Sequence, residues 1–227
     1  MAPIEFYYWP TPNGWKISIA LHEFDLPYDL RLVDIGADAQ FDPAFLKISP
    51  NNKIPAIVDP DGPDGAPIPI FESGAILQYL ARKTGRFCGE TERERIAVDE
   101  WLMWQMGGLG PMAGQTHHFL KFAREDVPYA KARYRAEVAR LYGLLDQKLR
   151  ARRFVAGDGF TIADMAIWPW ASLWKGQAQT LDDKPGMARW LEEVADRPGV
   201  RAGRALRADL RRDPTAATDW RATLTTG

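Results

Sequence analysis

The sequence predicts an α/β unit followed by an all-helical one, and two observations carry that expectation. Residues 1–86 alternate strand-like apolar runs with helix-period runs in the order βαβ and then ββα. After Phe87 helix-period spacing recurs in four segments, and no convincing strand interrupts it. The domain boundaries that follow are 1–86 and 92–227, with a linker at residues 84–92.

Ile4–Tyr8 (IEFYY) and residues 28–34 (YDLRLVD) read as strands. Between them Ile17, Ile19, Ala20, Leu21 and Phe24 give helical apolar spacing over Lys16–Phe24. Asp42 before Pro43 resembles an N-cap with proline at the first helical position, which makes Ala44–Ile48 a short helix ending at "SPNN". Ala56–Asp59 and Ile68–Phe71 flank the turn-rich "PDGPDGAP" as the arms of a β-hairpin. Ser73 is placed to cap a helix carrying Ile76, Leu77, Tyr79 and Leu80, which stops near Thr84 and Gly85. The later helical segments are Thr91–Met106, Pro128–Arg152, Ile162–Lys175 and Gly186–Arg197. From Asp209 the chain is polar and rich in small residues, Trp220 apart, and is expected to be a loose tail.

The chain has 227 residues, enough for one large core or two modest ones. Its 29 Lys and Arg nearly cancel 30 Asp and Glu, so no global field draws it to nucleic acid or to an anionic membrane, and neither is an expected partner. A single cysteine, Cys88, excludes an internal disulfide and a cysteine-based metal cage. With no signal-like leader and no long apolar span, the expected location is a reducing cytoplasm.

Three short stretches carry candidate chemistry. "NNKIPAIVD", residues 51–59, sets a proline directly before a strand, which suggests a turn that a cis Ile54–Pro55 bond would tighten, leaving the Ile54 backbone to pair with an extended peptide-like ligand. In "FESGAI", residues 71–76, the Ser73 hydroxyl and the first N–H groups of a helix suit a carboxylate, while Glu72 suits an ammonium. Together they fit an amino-acid zwitterion; an ordinary capped helix with a solvated glutamate fits these six residues as well. "TPNG", residues 11–14, precedes a helix whose N-terminus, with the Thr11 hydroxyl and the Asn13 amide, would favour the thiolate form of a ligand's thiol. The alternative is a loop in which Thr11 and Asn13 merely cap the helix.

Taken jointly, "TPNGWK", "QFDPAFLKISPNNKIPAIVD", "FESGAILQYLA", "WLMWQMGGLGPMAGQTHHF" and "FTIADMAIWPW" resemble the cytosolic glutathione transferase family over nearly the whole chain, in particular its bacterial Nu class and a related fungal nitrogen regulator. The resemblance implies a thioredoxin-like N-terminal domain that binds glutathione as a co-substrate and an all-helical C-terminal domain that supplies the acceptor pocket. It implies that Glu72 and Ser73 hold the γ-glutamyl zwitterion and that the Ile54 backbone, ahead of cis Pro55, pairs with the cysteinyl residue. Lys53 and Gln40 would lie near the tripeptide's other polar ends, Thr11 and Asn13 would face the sulfur, and Arg133 would reach the ligand from the helical domain. The implied activity is glutathione-dependent reduction of disulfides by a homodimer, with the bound tripeptide's thiolate in place of a protein cysteine. Two other readings stand beside it: conjugation of glutathione to small electrophiles, and a non-catalytic regulator, which the lack of an Asn/Gln-rich extension counts against.

Other features have plainer readings. Tyr7 and Tyr8 sit inside the first strand, as core or lining residues rather than the tyrosine many family classes use on the thiol, and Cys88 falls in the linker. His117 and His118 are adjacent on a helix with no acidic or cysteine partner at ligand spacing, so no metal is expected. "GGLGPM", residues 107–112, reads as a helix break or bend, and Thr161 with Asp164 resembles a capping box. For Trp101, Trp104, Trp168, Trp170 and Trp174, at roughly helical spacing, the plain reading is core packing, and the alternative is that one or two line an apolar acceptor site.

Overall fold

The computed structural model describes residues 2–211, which fall into two compact units: residues 2–86 with 197–211, and residues 87–196. The first unit begins with β1 (Ile4–Tyr8), α1 (Pro12–Glu23), β2 (Tyr28–Leu32), α2 (Pro43–Leu46), β3 (Ala56–Asp59), β4 (Ile68–Phe71) and α3 (Ser73–Thr84). Its four strands form one sheet in the order β2-β1-β3-β4, with β1 parallel to β2 and antiparallel to β3, and β3 antiparallel to β4. This is the thioredoxin-like order the sequence predicts. Strand alternation splits the core into two: Ile4, Phe6 and Tyr8 point to one face, and Tyr7 points to the other, where it packs with Val33, Phe45 and Ala56.

The start of α1 differs in detail from the sequence reading. α1 begins at Pro12, not Lys16, because Thr11 is its N-cap and accepts from the Gly14 N–H at 3.2 Å. α3 is tied to the end of β3 by Asp59, whose Oδ2 accepts from Lys83 Nζ and the Tyr79 hydroxyl, each at 2.7 Å.

The second unit is helical, and among the described residues it holds no strand: α4 (Glu92–Trp104), α5 (Gly110–Lys121), α6 (Pro128–Ala151), α7 (Ile162–Ala171) and α8 (Pro185–Ala195). The expected break at "GGLGPM" is a π-helical turn, Gln105–Leu109, which passes straight into α5, a helix the periodicity of the sequence did not mark. α7 is buried around nearly its whole circumference and is the centre of this unit. Its capping box is present, and it does more than cap. Asp164 Oδ2 accepts from the Thr161 N–H at 3.0 Å, and Oδ1 accepts from the Val155 N–H at 3.0 Å and Trp190 Nε1 at 2.9 Å, which ties α7 to the preceding loop and to α8. Burial pushes the Asp164 carboxyl up to about 6, against hydrogen bonds that all hold its ionised form.

The chain then returns to the first unit as α9 (Pro198–Ala205), so the helical unit ends near Asp196, where the sequence reading ran it to the end of the chain. α9 crosses α1 at glycine contact. A Cβ on Gly203 would come within 2.5 Å of the Ile19 backbone nitrogen, and the Ser18 hydroxyl donates to the Gly203 carbonyl at 2.7 Å. At the start of α9, Arg197 grips the buried Glu23 carboxylate through Nε at 3.1 Å and Nη2 at 2.6 Å. The boundary between units is sharp for local reasons. Arg86 donates to the Glu23 and Phe24 carbonyls of the first unit, while Phe87 packs edge-on to Phe160 and its carbonyl accepts from Ile162 in the second. The loose tail expected from Asp209 starts later, since Ala208–Leu210 form a 3-10 turn and Arg211 lies over the Trp15 ring; the rest of it, with Trp220, lies outside the described residues. Among the described residues no helix is long and apolar enough to cross a membrane.

Gly203→Ala is expected to lower stability by about 1–3 kcal/mol, because the added methyl meets backbone that cannot yield without moving a helix; urea denaturation reads this directly. In the second unit, Thr161→Ala should cost about 1 kcal/mol and Asp164→Ala about 3 kcal/mol or more, since the latter strands several buried donors. Equal losses in the two variants would show that Asp164 is only a cap.

Candidate active site

Three stretches of the first unit meet at one end of its sheet because of strand register. Tyr7 and Phe71 both stand opposite Ala56, so the turn after β1, the loop before β3 and the turn after β4 leave the sheet at the same end. They enclose a cleft that takes Asn13 from the first, Lys53, Ile54 and Pro55 from the second, and Glu72 and Ser73 from the third. Ser49 and Phe71 complete the lining.

Each wall has a local cause. At the start of α1, a Cβ on Gly14 would lie 2.3 Å from the Trp9 carbonyl oxygen, so this turn requires glycine. The Thr11 oxygen accepts from the Gly14 N–H, and its hydroxyl proton remains available to donate. In the loop before β3, the Ser49 hydroxyl donates to the Lys53 carbonyl at 2.8 Å, and the Ile54–Pro55 bond is cis, as the sequence suggests. At the third wall Glu72 has φ 68° and ψ 115°, a conformation that costs a non-glycine residue about 1–3 kcal/mol and is found mainly at functional sites.

That conformation corrects one expectation. The chain turns into α3 one residue early, so Glu72 holds the N-cap position and Ser73 is the first helical residue, with no side-chain cap. The Ser73 hydroxyl instead lies 3.4 Å from Lys16 Nζ and accepts from it. α3 therefore starts in the cleft wall, and its first-turn N–H groups, which lack partners within the helix, suit an anion.

Lys16 is the group that sequence reasoning missed. It is 2 % exposed, one turn into α1, and burial lowers its amine to about 7 against the opposing influence of the Glu72 carboxylate. The signal was a lysine set between Trp15 and Ile17 in a run that is otherwise apolar or small. Ser49 and Phe71 were given no role in the site, although Ser49 opens "SPNN" and Phe71 opens "FESGAI".

The remaining candidates lie elsewhere. Thr11 caps α1 next to Asn13 but is not among the lining residues, and Gln40 lies on the 3-10 turn Ala39–Phe41 with its amide 3.4 Å from Asp38. Arg133 is exposed on α6 of the second unit. The Tyr8 hydroxyl is buried and donates to the Leu206 carbonyl at 2.9 Å, and burial raises its pKa well above the ordinary value, so it is not an activated hydroxyl. Cys88 is a partly buried free thiol in the second unit, and His117 stacks on Phe122. Among the described residues no group of three or more His, Cys, Asp and Glu side chains is placed to hold a metal ion.

Comparison with known proteins shows where this architecture belongs. The family model described as "Glutathione S-transferase, N-terminal domain" matches residues 11–83, and "Glutathione S-transferase, C-terminal domain" matches residues 128–221. The chain belongs to the glutathione S-transferase family. This transferase is 50% identical over 204 residues to the disulfide-bond oxidoreductase YfcG of Escherichia coli, covering 89% of this chain and 94% of that protein. It is 40% identical over 215 residues to the disulfide-bond oxidoreductase YghU of the same organism, covering 89% and 74%. A solved glutathione transferase of Burkholderia graminis, with two glutathione molecules bound per subunit, superposes with a TM-score of 0.86 at 42% identity, covering 93% of this chain and 90% of that one. Another, from Pseudomonas putida with one glutathione disulfide per subunit, gives a TM-score of 0.86 at 42% identity, covering 90% and 92%.

The transferase's first matched stretch, residues 11–83, contains the whole cleft lining, and Arg133 falls in the second. The buried amine beneath the cleft gives a pH signature. Lys16 titrates near 7 when folded and near 10.5 when unfolded, so between these values the unfolded chain binds more protons, and this group adds stability as pH rises through the window. Denaturant midpoints measured from pH 7 to 10 should carry that upward slope in the wild type and lose it in Lys16→Met; identical pH profiles would refute the assignment.

Proposed function

We propose that this transferase reduces disulfides with glutathione, drawing the nucleophilic sulfur from the ligand rather than from a protein cysteine. One observation carries the reading: the cleft joins an amino-acid corner at the start of α3 to a donor-rich helix start at α1, and Cys88 is not among its lining residues. In this reading Glu72 takes the ammonium of the γ-glutamyl end, and Ser73 with the first N–H groups of α3 takes its carboxylate. The Ile54 backbone beside Pro55 pairs with the cysteinyl residue, and Lys53 and Gln40 serve the tripeptide's other polar ends. Thr11 and Asn13 face the sulfur, where their donors and the α1 dipole lower a thiol pKa from its free value of about 8.5. Arg133 is assigned to the same ligand on the family resemblance alone.

The exchange then runs in two displacements. The bound thiolate attacks one sulfur of the substrate disulfide, forming a mixed disulfide and releasing the other sulfur as a thiolate. A second glutathione thiolate attacks the glutathione sulfur of the mixed disulfide, giving glutathione disulfide and the second substrate thiolate, and the two substrate thiolates take protons from solvent. Relatives named as disulfide-bond oxidoreductases, and a solved neighbour holding glutathione disulfide, support disulfide exchange as the reaction. A homodimer is part of the proposal, supported by apolar side chains on α4 that face solvent, Ile96 at 52% and Met103 at 50% exposure. A reducing cytoplasm would supply the glutathione and keep Cys88 free.

Turnover of a small model disulfide with glutathione, followed through coupled glutathione reductase, is the test. Cys88→Ser should retain the wild-type rate within about twofold, and Thr11→Ala should lose on the order of 10²-fold in kcat if its hydroxyl stabilises the sulfur anion. Loss of turnover in folded Cys88→Ser would sink the ligand-thiol mechanism. Conjugation of an activated aryl halide without disulfide turnover would leave a conventional transferase.

A further inference from the structure

Lys16 lies beneath the corner where Glu72 meets α3, and no part of the exchange above uses it. Its Nζ is 3.4 Å from Ser73 Oγ, its side chain is sealed from solvent, and Glu72 is the charged group acting on it from the α3 side. Two other cations packed against α1, Arg204 and Arg211, lie over the Trp15 ring at 4.7 and 4.8 Å from its centroid, while Lys53 lines the cleft from the loop before β3. The packing of α1 on α3 sets the amine beside Ser73.

An ammonium there has two consequences. By donating to Ser73 Oγ it polarises the hydroxyl, which makes Ser73 a stronger donor to an anion on its far side. It also offsets the negative charge of Glu72, which would otherwise repel a carboxylate arriving beside it. We infer that Lys16 is a positioning residue for the ligand's α-carboxylate, acting through the Ser73 hydroxyl and against the charge of Glu72. The inference rests on the reading of this corner as the seat of the γ-glutamyl end. It adds a third element to that seat: Glu72 for the ammonium, Ser73 and the helix start for the carboxylate, and a buried cation that lets the two stand side by side.

The test compares two tripeptides, glutathione and 4-aminobutanoyl-cysteinylglycine, which lacks only the α-carboxylate of the γ-glutamyl residue. Dissociation constants for both are measured by calorimetry at pH 6, where the Lys16 amine carries its proton, on the full chain, wild type and Lys16→Met, with Lys16→Gln as a second uncharged variant should the first not fold. The wild type should prefer glutathione by about tenfold or more, as expected for a charge-assisted contact. In either variant the preference should collapse to about threefold or less, through weaker glutathione binding with the analogue's affinity unchanged. A merely structural lysine would weaken both ligands equally, and that result overturns the inference. A folded variant that keeps the wild-type preference also overturns it and leaves the reading of the cleft intact. A wild type that binds both tripeptides equally removes the carboxylate from this corner and overturns that reading together with the inference.

Discussion

The double pairing of Ala56, opposite Tyr7 on one side and Phe71 on the other, is the constraint on which the cleft depends. Because β3 runs antiparallel to both neighbours, the end of β1, the start of β3 and the end of β4 coincide. Three stretches separated by tens of residues in sequence therefore deliver a helix start, a cis-proline loop and a second helix start to one place. A one-residue slip of β3 would turn Ala56 and Ile57 to the wrong faces, so burial on both sides of the sheet fixes the register and with it the cleft.

Two costly features sit at that place: Glu72 with positive φ and Lys16 with its amine out of water. Both are sustained by elements that have no part in the chemistry. α9 holds α1 through the Gly203 contact and the Arg197–Glu23 pair, and Asp59 holds α3 through Lys83 and Tyr79. The helices are thereby fixed at their far ends or along their backs, and their N-termini are left to face the cleft. Local strain at a site supported by rigid surroundings is the pattern expected of a preorganised binding corner.

The sequence was legible where chemistry is local. "NKIP", "FES" and "TPNG" each encode a turn or helix start within a few residues, and the structure brings residues from all three together. It was opaque where a residue's state depends on a distant neighbour. Lys16 reads as an ordinary helical lysine until α3 covers it. Ser73 reads as a cap because nothing in "FESGA" announces that Glu72 takes a positive φ. α5 was not marked by periodicity because "GGLGPM" resembles a break, whereas Gly107 and Gly108 sit in a π turn and Gly110 and Pro111 open the helix. α9 was hidden because Gly199 and Gly203, poor helix formers in isolation, make sense only as the floor against which α1 lies.

The return of α9 to α1 also makes the first unit discontinuous along the chain. During synthesis the sheet, α1 and α3 emerge first, but the glycine surface that covers Ser18 and Ile19 does not exist until the whole helical unit has been made. At ordinary elongation rates that interval is on the order of ten seconds. Through it the nascent first unit carries an open groove along α1 and an unpartnered Glu23, so the ligand-binding half of the protein is the last to be finished although it is the first to be translated.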